Sequence, residues 1–254
     1  MESDADVWAW DDNANARAEA EAVGIPVRDP ASANWRKMSA LIMSPGIPHT
    51  YPSPHPIADR AKAAGCPIIG DMELLMGSQP DAAYVGITGT NGKSTTTSLI
   101  AHVLQVAGRT IQVGGNLGTP VLELLPMGDG GIYVLEMSSY QLDLTPSISC
   151  DFSVLLNISP DHLGRHGGMD GYVEAKKSMF RNQTADSTMI IGIDDDHSRE
   201  IFETLRADRR GRAIPISGTR AVEKGVFAMD GVLFDSLDGD PRPVLDLSDA
   251  PALP

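Results

Sequence analysis

Apolar residues occur along this chain in short runs that alternate with longer amphipathic segments. The short runs are rich in Val, Ile and Tyr, which favour β-strands, and each is followed by glycine, proline or polar residues. They predict strands at 6–10, 39–44, 66–70, 83–88, 110–115, 132–138, 152–158 and 188–193. Apolar strands separated by helices predict an α/β fold with a mostly parallel sheet that is covered on both faces.

The amphipathic segments predict helices, at 15–24, 55–65, 93–108 and 172–180. Gly65 and Gly108 end two of them, at a position where glycine commonly terminates a helix. The tail, residues 225–249, is predicted to form short antiparallel strands. Its Asp-Gly pairs, at 230–231 and 238–239, are typical of hairpin turns.

A domain boundary is predicted at Gly70 and Asp71. Residues 1–70 then contain three predicted strands, and residues 71–254 contain a long glycine-rich stretch. Both ends have the pattern of a fold that has been cut. The chain opens directly on DVWAWDD, without the strand and glycine turn that begin a nucleotide-binding fold, and it stops soon after the strand-like PVLDL. We therefore expect parts of the fold to be missing at both ends.

Composition narrows the class of protein. The chain has 254 residues, of which 42% are hydrophobic, and a formal net charge of −14. This charge argues against nucleic-acid binding through a broad basic surface, but local cations can still bind an anionic substrate. The sequence contains no apolar run long enough to span a membrane, and its acidic N-terminus does not resemble a signal peptide. We predict a cytoplasmic protein with no membrane partner, whose two cysteines are buried free thiols.

The stretch GITGTNGKSTTTSLI, residues 86–100, joins a predicted strand to a predicted helix. The backbone N–H groups of such a glycine-rich turn, together with the N-terminus of the helix, bind phosphate. In this interpretation Lys93 lies along the β- and γ-phosphates of a nucleotide, and the Ser94 hydroxyl contacts Mg²⁺. The stretch is shorter than the general phosphate-loop pattern, because Ile87 stands where the first glycine is expected. The alternative is a glycine-rich turn that only caps a helix.

Polar residues at the ends of later strands are candidates for the same site, because ligands of such sheets bind at the carboxyl ends of strands. Glu136 ends a strand and matches Mg²⁺, which prefers carboxylate oxygens; the alternative is an ordinary strand-end carboxylate. Ser138 and Gln141, in the turn that follows, can hydrogen-bond a substrate. Asn116, in GGNLG, either faces a ligand or occupies a left-handed turn.

A histidine and a lysine further along the chain are weaker candidates. His162 is either a ligand of a second metal ion, oriented by Asp161, or a hydrogen-bonded loop residue. Arg165 and His166 are equally compatible with solvated surface positions. Lys176 lies on a predicted helix, where a lysine is commonly solvated. It fits a metal site only if it loses its proton, pairs with an acid or is carbamylated to an anion.

These motifs resemble those of the Mur ligase family, in the same order, and in particular those of its D-glutamate-adding branch. GITGTNGKST resembles the phosphate loop of the family, and GGNLG, LEMSSYQL, NISPDH and YVEAK resemble the motifs that follow it. SPGIP at 44–48 and GCPIIGDMELL at 65–75 resemble the uridine loop and the interdomain junction. The resemblance extends to about Gly192. Other Mur ligases and folylpolyglutamate synthases share the phosphate loop but not LEMSSYQL.

The resemblance implies a Rossmann-like UDP-binding domain in residues 1–70, incomplete at its first strand, and a central P-loop ATP-binding domain in residues 71–254. It implies that ATP phosphorylates the terminal carboxylate of UDP-N-acetylmuramoyl-L-alanine during peptidoglycan precursor synthesis. The amine of D-glutamate then attacks the acyl phosphate. Because two anions must meet in this reaction, Mg²⁺ and lysine have to neutralise them. We expect such a protein to be a monomer.

The resemblance also implies roles for single residues. Those that would bind ATP are Gly89, Thr90, Asn91, Gly92, Lys93, Ser94 and Thr95. Those that would be catalytic are Lys93, Glu136, His162 and Lys176. One Mg²⁺ would be held by Ser94 and Glu136. A second would be held by His162 and a carbamylated Lys176, with Lys177 as the alternative lysine. Those that would contact the substrate are Asn116, Ser138 and Gln141 at its muramoyl-alanine end, and Asp12, Asn13, Ser44 and Gly46 at its uridine diphosphate end.

The departures from the family pattern define the alternatives. The family's first strand with its glycine turn is missing, and so is its third domain, which binds D-glutamate. We therefore expect this chain to bind ATP weakly and not to complete the reaction alone, since family members close their domains around substrates. The alternative functions are a truncated, non-catalytic nucleotide-binding paralogue, a folylpolyglutamate-synthase-like ligase and a small kinase. The sequence shows no arginine-rich lid that would favour the kinase.

Overall fold

The computed structural model describes residues 5–249. Its strands are β1 Leu41–Ile42, β2 Ile68–Ile69, β3 Ala83–Thr88, β4 Ile111–Gly115, β5 Ile132–Glu136, β6 Phe152–Leu155, β7 Thr188–Gly192, β8 Arg212–Ser217, β9 Val226–Met229, β10 Val232–Asp235 and β11 Arg242–Asp246. Its α-helices are α1 Ala14–Ala22, α2 Pro56–Ala64, α3 Asp71–Ser78, α4 Lys93–Val106, α5 Ser139–Asp143, α6 Leu163–His166, α7 Met169–Lys177 and α8 Asp196–Asp208. No helix among these residues has both the length and the apolar character needed to cross a bilayer.

The large sheet has nine strands in the order β11-β10-β9-β8-β7-β6-β3-β5-β4. All neighbours from β4 to β9 pair in parallel, and only β10 runs antiparallel to both of its neighbours. The prediction of an α/β fold with a mostly parallel sheet is confirmed. β3 lies inside the sheet between β5 and β6, so the loop that follows it emerges at the carboxyl edge with strands on both sides.

Both faces of the sheet are covered, as the continuous apolar strands predict. Along β5, Tyr133 and Leu135 belong to a large apolar core that also contains Met72 of α3. Val134, between them, packs on the opposite face in a second core with Ala101 of α4. Because neighbouring residues of a strand point to opposite faces, a strand covered by helices on both sides has to be apolar at every position.

The N-terminal segment, residues 5–70, is less regular than the central part, residues 71–249. Its parallel pair β1–β2 joins Leu41 to Ile68 and Ile42 to Ile69. The predicted strand at 6–10 is wrong, since only Ala9 pairs there, in a single bridge to Val27. The indole rings that favoured a strand serve another purpose. The guanidinium groups of Arg17 and Arg28 lie over the rings of Trp10 and Trp8.

Two other local predictions can be compared with the structure. The Asp-Gly turn at 230–231 is confirmed, because it connects β9 to β10 and both of its residues have positive φ, 51° at Asp230 and 78° at Gly231. Cys66 and Cys150 are buried and free, as predicted. The helices α3, α5, α6 and α8 were not predicted from the sequence. The domain boundary at residue 70 stays a prediction; Gly70 N–H donates to Leu144 O of the central part at 2.7 Å.

Candidate functional site

The loop between β3 and α4 turns sharply through two glycines. Gly89 has φ 153° and Gly92 has φ 82°, conformations that residues with a side chain rarely adopt. A Cβ at Gly89 would lie 3.0 Å from Leu156 Cβ. Gly92 is the N-cap of α4, and no side chain caps this helix. The first N–H groups of α4 are therefore not satisfied by a capping side chain, which is the arrangement that binds an anion.

Lys93, the first residue of α4, folds back over this loop. Its Nζ donates to Gly89 O at 3.0 Å and to Thr90 O at 2.9 Å. The loop is also held from the opposite side, since Asn157 Oδ1 accepts from Asn91 N at 2.9 Å. The ammonium of Lys93 is thus held by two carbonyl oxygens of the loop, which the oxygens of a phosphate could replace.

Two predicted residues from separate parts of the sequence, Ser94 and Asn116, hydrogen-bond to a third, Glu136. This carboxylate is 2% exposed. Its Oε2 accepts from Ser94 Oγ and its Oε1 from Asn116 Nδ2, each at 2.7 Å. Asn116 N also donates to Glu136 O at 2.8 Å. The structure therefore brings Ser94, Asn116 and Glu136 together beside the loop, with both carboxylate oxygens already hydrogen-bonded.

Lys176 reaches the same loop from α7. The residue is 1% exposed, and its Nζ donates to Gly89 O at 2.8 Å and to Thr88 Oγ1 at 3.5 Å. Burial, and then repulsion by Lys93, lowers the pKa of Lys176 to about 7, although Asp161 acts in the opposite direction. A large fraction of this amine is therefore neutral near pH 7. The alternative, Lys177, instead pairs with Glu174 at 3.2 Å on the outer face of the helix.

His162 contacts Asp161 and Tyr140. It precedes α6 with φ 51°, its Nε2 is 3.3 Å from Asp161 Oδ2, and its ring centroid is 5.2 Å from that of Tyr140. Its side chain is 54% exposed. Residues 5–249 contain no group of three or more His, Cys, Asp or Glu side chains arranged to hold a metal ion. A second metal site at His162 and Lys176 stays a prediction.

Ser138 and Gln141 have a structural role that the sequence analysis missed. They form a capping box at the start of α5: Ser138 Oγ accepts from Gln141 N at 3.2 Å, and Gln141 Oε1 accepts from Ser138 N at 3.0 Å. The Ser-x-x-Gln spacing is the sequence signal for this motif and would have predicted the helix. Their predicted contact with substrate is untested, and Ser138 remains partly exposed.

Two of the four predicted substrate residues in the N-terminal segment, Asp12 and Asn13, contact other residues of that segment. Asp12 Oδ2 is 2.9 Å from His55 Nε2, and hydrogen bonds from His55 and Trp10 lower the pKa of Asp12. Asn13 is the N-cap of α1 and accepts from Asn15 N at 2.9 Å. Ser44 and Gly46 are exposed in the loop after β1. Within the described residues, no hydrogen bond joins any of these side chains to the phosphate loop.

Arg165 and His166 are not solvated surface residues, contrary to one of the readings left open by the sequence. Arg165 is 7% exposed and His166 is 6% exposed. Arg165 Nη2 donates to Ile47 O at 3.2 Å, which ties α6 to the N-terminal segment. No local sequence pattern predicted this burial, because α6 spans only the four residues Leu163–His166.

A model of the Mur ligase middle domain matches residues 87–220, which is more than half of the chain. The chain belongs to the Mur ligase family. The matched region runs from the phosphate loop to the turn after β8, so it contains the whole cluster around Glu136 and Lys176.

Curated relatives of this Mur ligase chain are named UDP-N-acetylmuramoylalanine–D-glutamate ligase. The protein of Rhodospirillum rubrum is 50% identical over 221 residues, which are 87% of this chain and 46% of that protein. The protein of Phenylobacterium zucineum is 46% identical over 237 residues, which are 91% of this chain and 50% of that protein. The chain thus spans about half the length of these relatives.

Solved structures share the fold of this Mur ligase chain at low sequence identity. The ligase from Neisseria meningitides that is named for UDP-N-acetylmuramate and L-alanyl-γ-D-glutamyl-meso-diaminopimelate superposes with a TM-score of 0.54 at 17% identity. The alignment covers 94% of this chain and 76% of that one. A 2,6-diaminopimelate ligase gives a TM-score of 0.52 at 23% identity over 74% of this chain and 49% of that one. These similarities concern the fold alone.

Proposed function

We propose that this chain is the nucleotide-binding part of an ATP-dependent ligase that adds D-glutamate to UDP-N-acetylmuramoyl-L-alanine in peptidoglycan precursor synthesis. The observation that carries the proposal is the 2.7 Å contact between Ser94 Oγ and Glu136 Oε2, beside a glycine loop with an uncapped helix start. A helix-capping turn has no need for a buried carboxylate at this place. The names of the relatives with about half identical residues support the choice of substrates.

ATP binds, in this proposal, with its β- and γ-phosphates in the loop. The binding residues are Gly89, Thr90, Asn91, Gly92, Lys93, Ser94 and Thr95. The N–H groups at the start of α4 donate to phosphate oxygens, and Lys93 Nζ replaces its two carbonyl partners by phosphate oxygens. This replacement needs only a rotation of the lysine side chain, because the loop glycines already hold the backbone in place.

Mg²⁺ fits the donor set at Glu136. The Ser94 hydroxyl and the Glu136 carboxylate are oxygen donors, and these are the ligands that Mg²⁺ prefers. Their mutual hydrogen bond of 2.7 Å is the contact that a cation would replace, while Asn116 keeps hold of the other carboxylate oxygen. When bound, Mg²⁺ supplies charge neutralisation between the triphosphate and the substrate carboxylate.

Lys176 is proposed to be carbamylated. Its buried amine, with a pKa of about 7, is partly neutral and can attack CO₂. A nitrogen–carbon bond forms, one proton leaves to water, and the product is a carbamate anion. The conversion replaces a cation that repels Lys93 by an anion that attracts it. His162 and this carbamate are the proposed donors for a second Mg²⁺.

The reaction itself proceeds by transfer of the γ-phosphoryl group of ATP to the terminal carboxylate of the substrate. Lys93 stabilises the charge on the transferring group, and the amine of D-glutamate then attacks the acyl carbon with release of phosphate. The proposed contacts of the muramoyl-alanine end are Asn116, Ser138 and Gln141. The proposed contacts of the uridine diphosphate end are Asp12, Asn13, Ser44 and Gly46. The protein acts, in this proposal, as a cytoplasmic monomer on small-molecule substrates.

Calorimetric titration of the chain with Mg²⁺ and ATP tests the proposal. We expect saturable binding that weakens about tenfold in Glu136→Gln, which keeps the shape but removes the charge of the carboxylate. Glu174→Gln, on the exposed face of α7, is the matched control and should bind as the wild type does. Absence of binding at millimolar Mg²⁺–ATP, or unchanged affinity in Glu136→Gln, would overturn the proposal.

A further inference from the structure

His166 is a buried side chain that the proposed reaction does not use. Its Nδ1 lies 3.2 Å from Asp143 Oδ2, and its Nε2 lies 2.9 Å from Ser139 Oγ. An ionised carboxylate only accepts hydrogen bonds, so Nδ1 carries a proton. In the neutral ring Nε2 then accepts from the Ser139 hydroxyl. Both ring nitrogens are satisfied by α5, although His166 itself ends α6.

A carboxylate, an imidazole and a hydroxyl in this order also form the nucleophilic triad of hydrolases. That function does not fit here, because Ser139 is 4% exposed and its side chain points into the protein toward His166. No substrate atom can approach the hydroxyl. The two hydrogen bonds, one at each ring nitrogen, instead fix the orientation of the imidazole ring.

The fixed ring contacts two tyrosines, each of which has a further partner among the candidate residues. The His166 centroid is 5.5 Å from that of Tyr140 and 5.6 Å from that of Tyr172. Tyr140 in turn lies 5.2 Å from the ring of His162. Tyr172 OH is 3.0 Å from Thr90 Oγ1 in the phosphate loop.

Tyr172 also contacts the second loop-facing lysine. The Nζ of Lys176 lies 4.8 Å from the centroid of the Tyr172 ring. The aromatic row Tyr140–His166–Tyr172 therefore connects the half-exposed His162 with both Thr90 and Lys176, which no direct hydrogen bond among the described residues does. Aromatic pairs at such distances have preferred geometries, so the orientation of one ring restricts the next.

We infer that His166 is a positioning residue: clamped by Asp143 and Ser139, it holds Tyr140 and Tyr172 so that His162 and the phosphate loop keep one mutual geometry. The inference rests on the proposed nucleotide site and adds a residue that acts on it through others. The inference gives α5 a role in positioning the phosphate loop. Asp143 and Ser139, the two partners of His166, lie on this helix, and Ser138 and Gln141 form its capping box.

Charged groups near the clamp come from several elements. Asp143 belongs to α5 and Arg165 to α6. His49 lies in the loop after β1, where the charges of Arg165 and His166 both act to lower its pKa. Arg165 lies over the Tyr140 ring, with its Cζ 5.1 Å from the centroid. The clamp carboxylate is therefore the one anion in direct contact with His166 among the described residues.

The test compares His166→Phe with a control that loses equally buried hydrogen bonds elsewhere. Phe keeps an aromatic ring but removes both bonds of the clamp. Gln183→Met is the matched control, because Gln183 is 6% exposed and its Nε2 donates to Ser153 Oγ and Met179 O, far from the carboxyl edge. The measurements are the Kd for Mg²⁺–ATP, the thermal midpoint, and the nuclear Overhauser contact between the rings of Tyr140 and His162.

We expect both variants to lose thermal stability but only His166→Phe to lose the ring contact and to bind Mg²⁺–ATP about tenfold more weakly. Ser139→Ala, which removes one bond of the clamp, should weaken binding roughly threefold and decides the question if His166→Phe does not fold. Wild-type ring contact and affinity in the clamp variants, or an equal loss of affinity in Gln183→Met, would overturn the inference. If the wild type bound no nucleotide, the proposed function would fail, and the ring contact alone would decide for or against His166.

Discussion

The N-terminal segment and the central part of the chain hold their candidate residues in contrasting ways. At the carboxyl edge of the large sheet, Ser94 of α4 and Asn116 of the turn after β4 each bond to the Glu136 carboxylate at 2.7 Å. In the N-terminal segment, the Asp12 side chain is 72% exposed, and the Asn13 side chain accepts from Asn15 N, two residues along the chain. The candidate residues of the central part hydrogen-bond to one another, whereas those of the N-terminal segment lie on or beside short elements.

The difference follows from the strands that carry each region. β3 and β5 are buried along almost their whole length, so the residues at their ends are held by a rigid core. The N-terminal strands have two residues each, and α1 buries none of its residues. The long buried strands of the large sheet therefore hold these side chains in place, whereas the N-terminal candidates lie on short elements with little burial.

Replacing a glycine is the strongest way to test this contrast. Gly115→Ala places a Cβ 2.2 Å from Glu136 O at a φ of 108°, so the backbone beside the carboxylate has to move. We expect the free energy of unfolding to fall by about 3 kcal/mol, from strain and lost packing. Gly46→Ala, with nothing within 4 Å of its Cβ, is the partner substitution in the N-terminal segment and should be nearly neutral. Urea denaturation of both variants measures the difference. Equal losses would mean that the two regions are equally constrained.

The sequence predicted the central site better than the N-terminal segment for a physical reason. AYVGIT was predicted as a strand and forms β3 with the same bounds, and the helix predicted from Lys93 begins there. Continuous apolar runs and glycine turns are local signals, and a buried strand repeats them at every position. The run at 6–10 looks similar in composition, but its tryptophans stack on arginines instead of joining a sheet.

The contacts that the sequence did not predict are those made between distant elements. Ser94, in the helix after β3, and Asn116, after β4, both reach Glu136 because β5, which ends at Glu136, lies between β3 and β4 in the sheet. The burial of His166 depends on a four-residue helix folding against α5, and four residues carry no periodicity to read. The apolar run IYVLE predicted that Glu136 ends a strand, as it ends β5. Its hydrogen bonds to Ser94 and Asn116 depend on the tertiary fold and could not be predicted from the local sequence.

Lys93→Met tests whether nucleotide binding depends on the lysine of the phosphate loop in particular, or equally on a lysine of the N-terminal segment. Loss of an ammonium that contacts phosphates should cost about 2 kcal/mol, or roughly thirtyfold in Kd for Mg²⁺–ATP. Lys62→Met is the control, because Lys62 also donates to a backbone carbonyl, that of His49, but lies in the N-terminal segment. Calorimetry on both variants measures the effect. A comparable loss in Lys62→Met would assign part of nucleotide binding to the N-terminal segment.

The buried Lys176 should make the stability of the central part depend on pH. The unfolded chain protonates this amine up to its ordinary pKa of 10.5, whereas the folded chain releases the proton near pH 7. Between these values the unfolded state binds more protons, so stability rises with pH by up to about 1.4 kcal/mol per unit. Lys176→Met should lose this contribution to the slope, measured by urea denaturation in CO₂-free buffer between pH 7.5 and 9.

The matched control for that slope is Lys177→Met. Lys177 neighbours Lys176 on the same helix, but its side chain is 41% exposed and pairs with Glu174. Removing it should leave the pH dependence of the wild type in place. If the two variants changed the slope equally, burial would not be the cause of the pH dependence.

The smallest expected effect concerns the cap of α1. Asn13→Ala removes the side chain that accepts from Asn15 N, a loss of about 1 kcal/mol to a helix. Because α1 buries no residues, this loss should appear as faster amide exchange within α1, with little change in the global free energy of unfolding. Asp195→Ala removes the corresponding cap of α8, which buries Ile201 and Phe202, and should lower global stability instead. A global loss in Asn13→Ala equal to that in Asp195→Ala would show that α1 is coupled to the core more tightly than its exposure implies, and the contrast between the two regions would not hold.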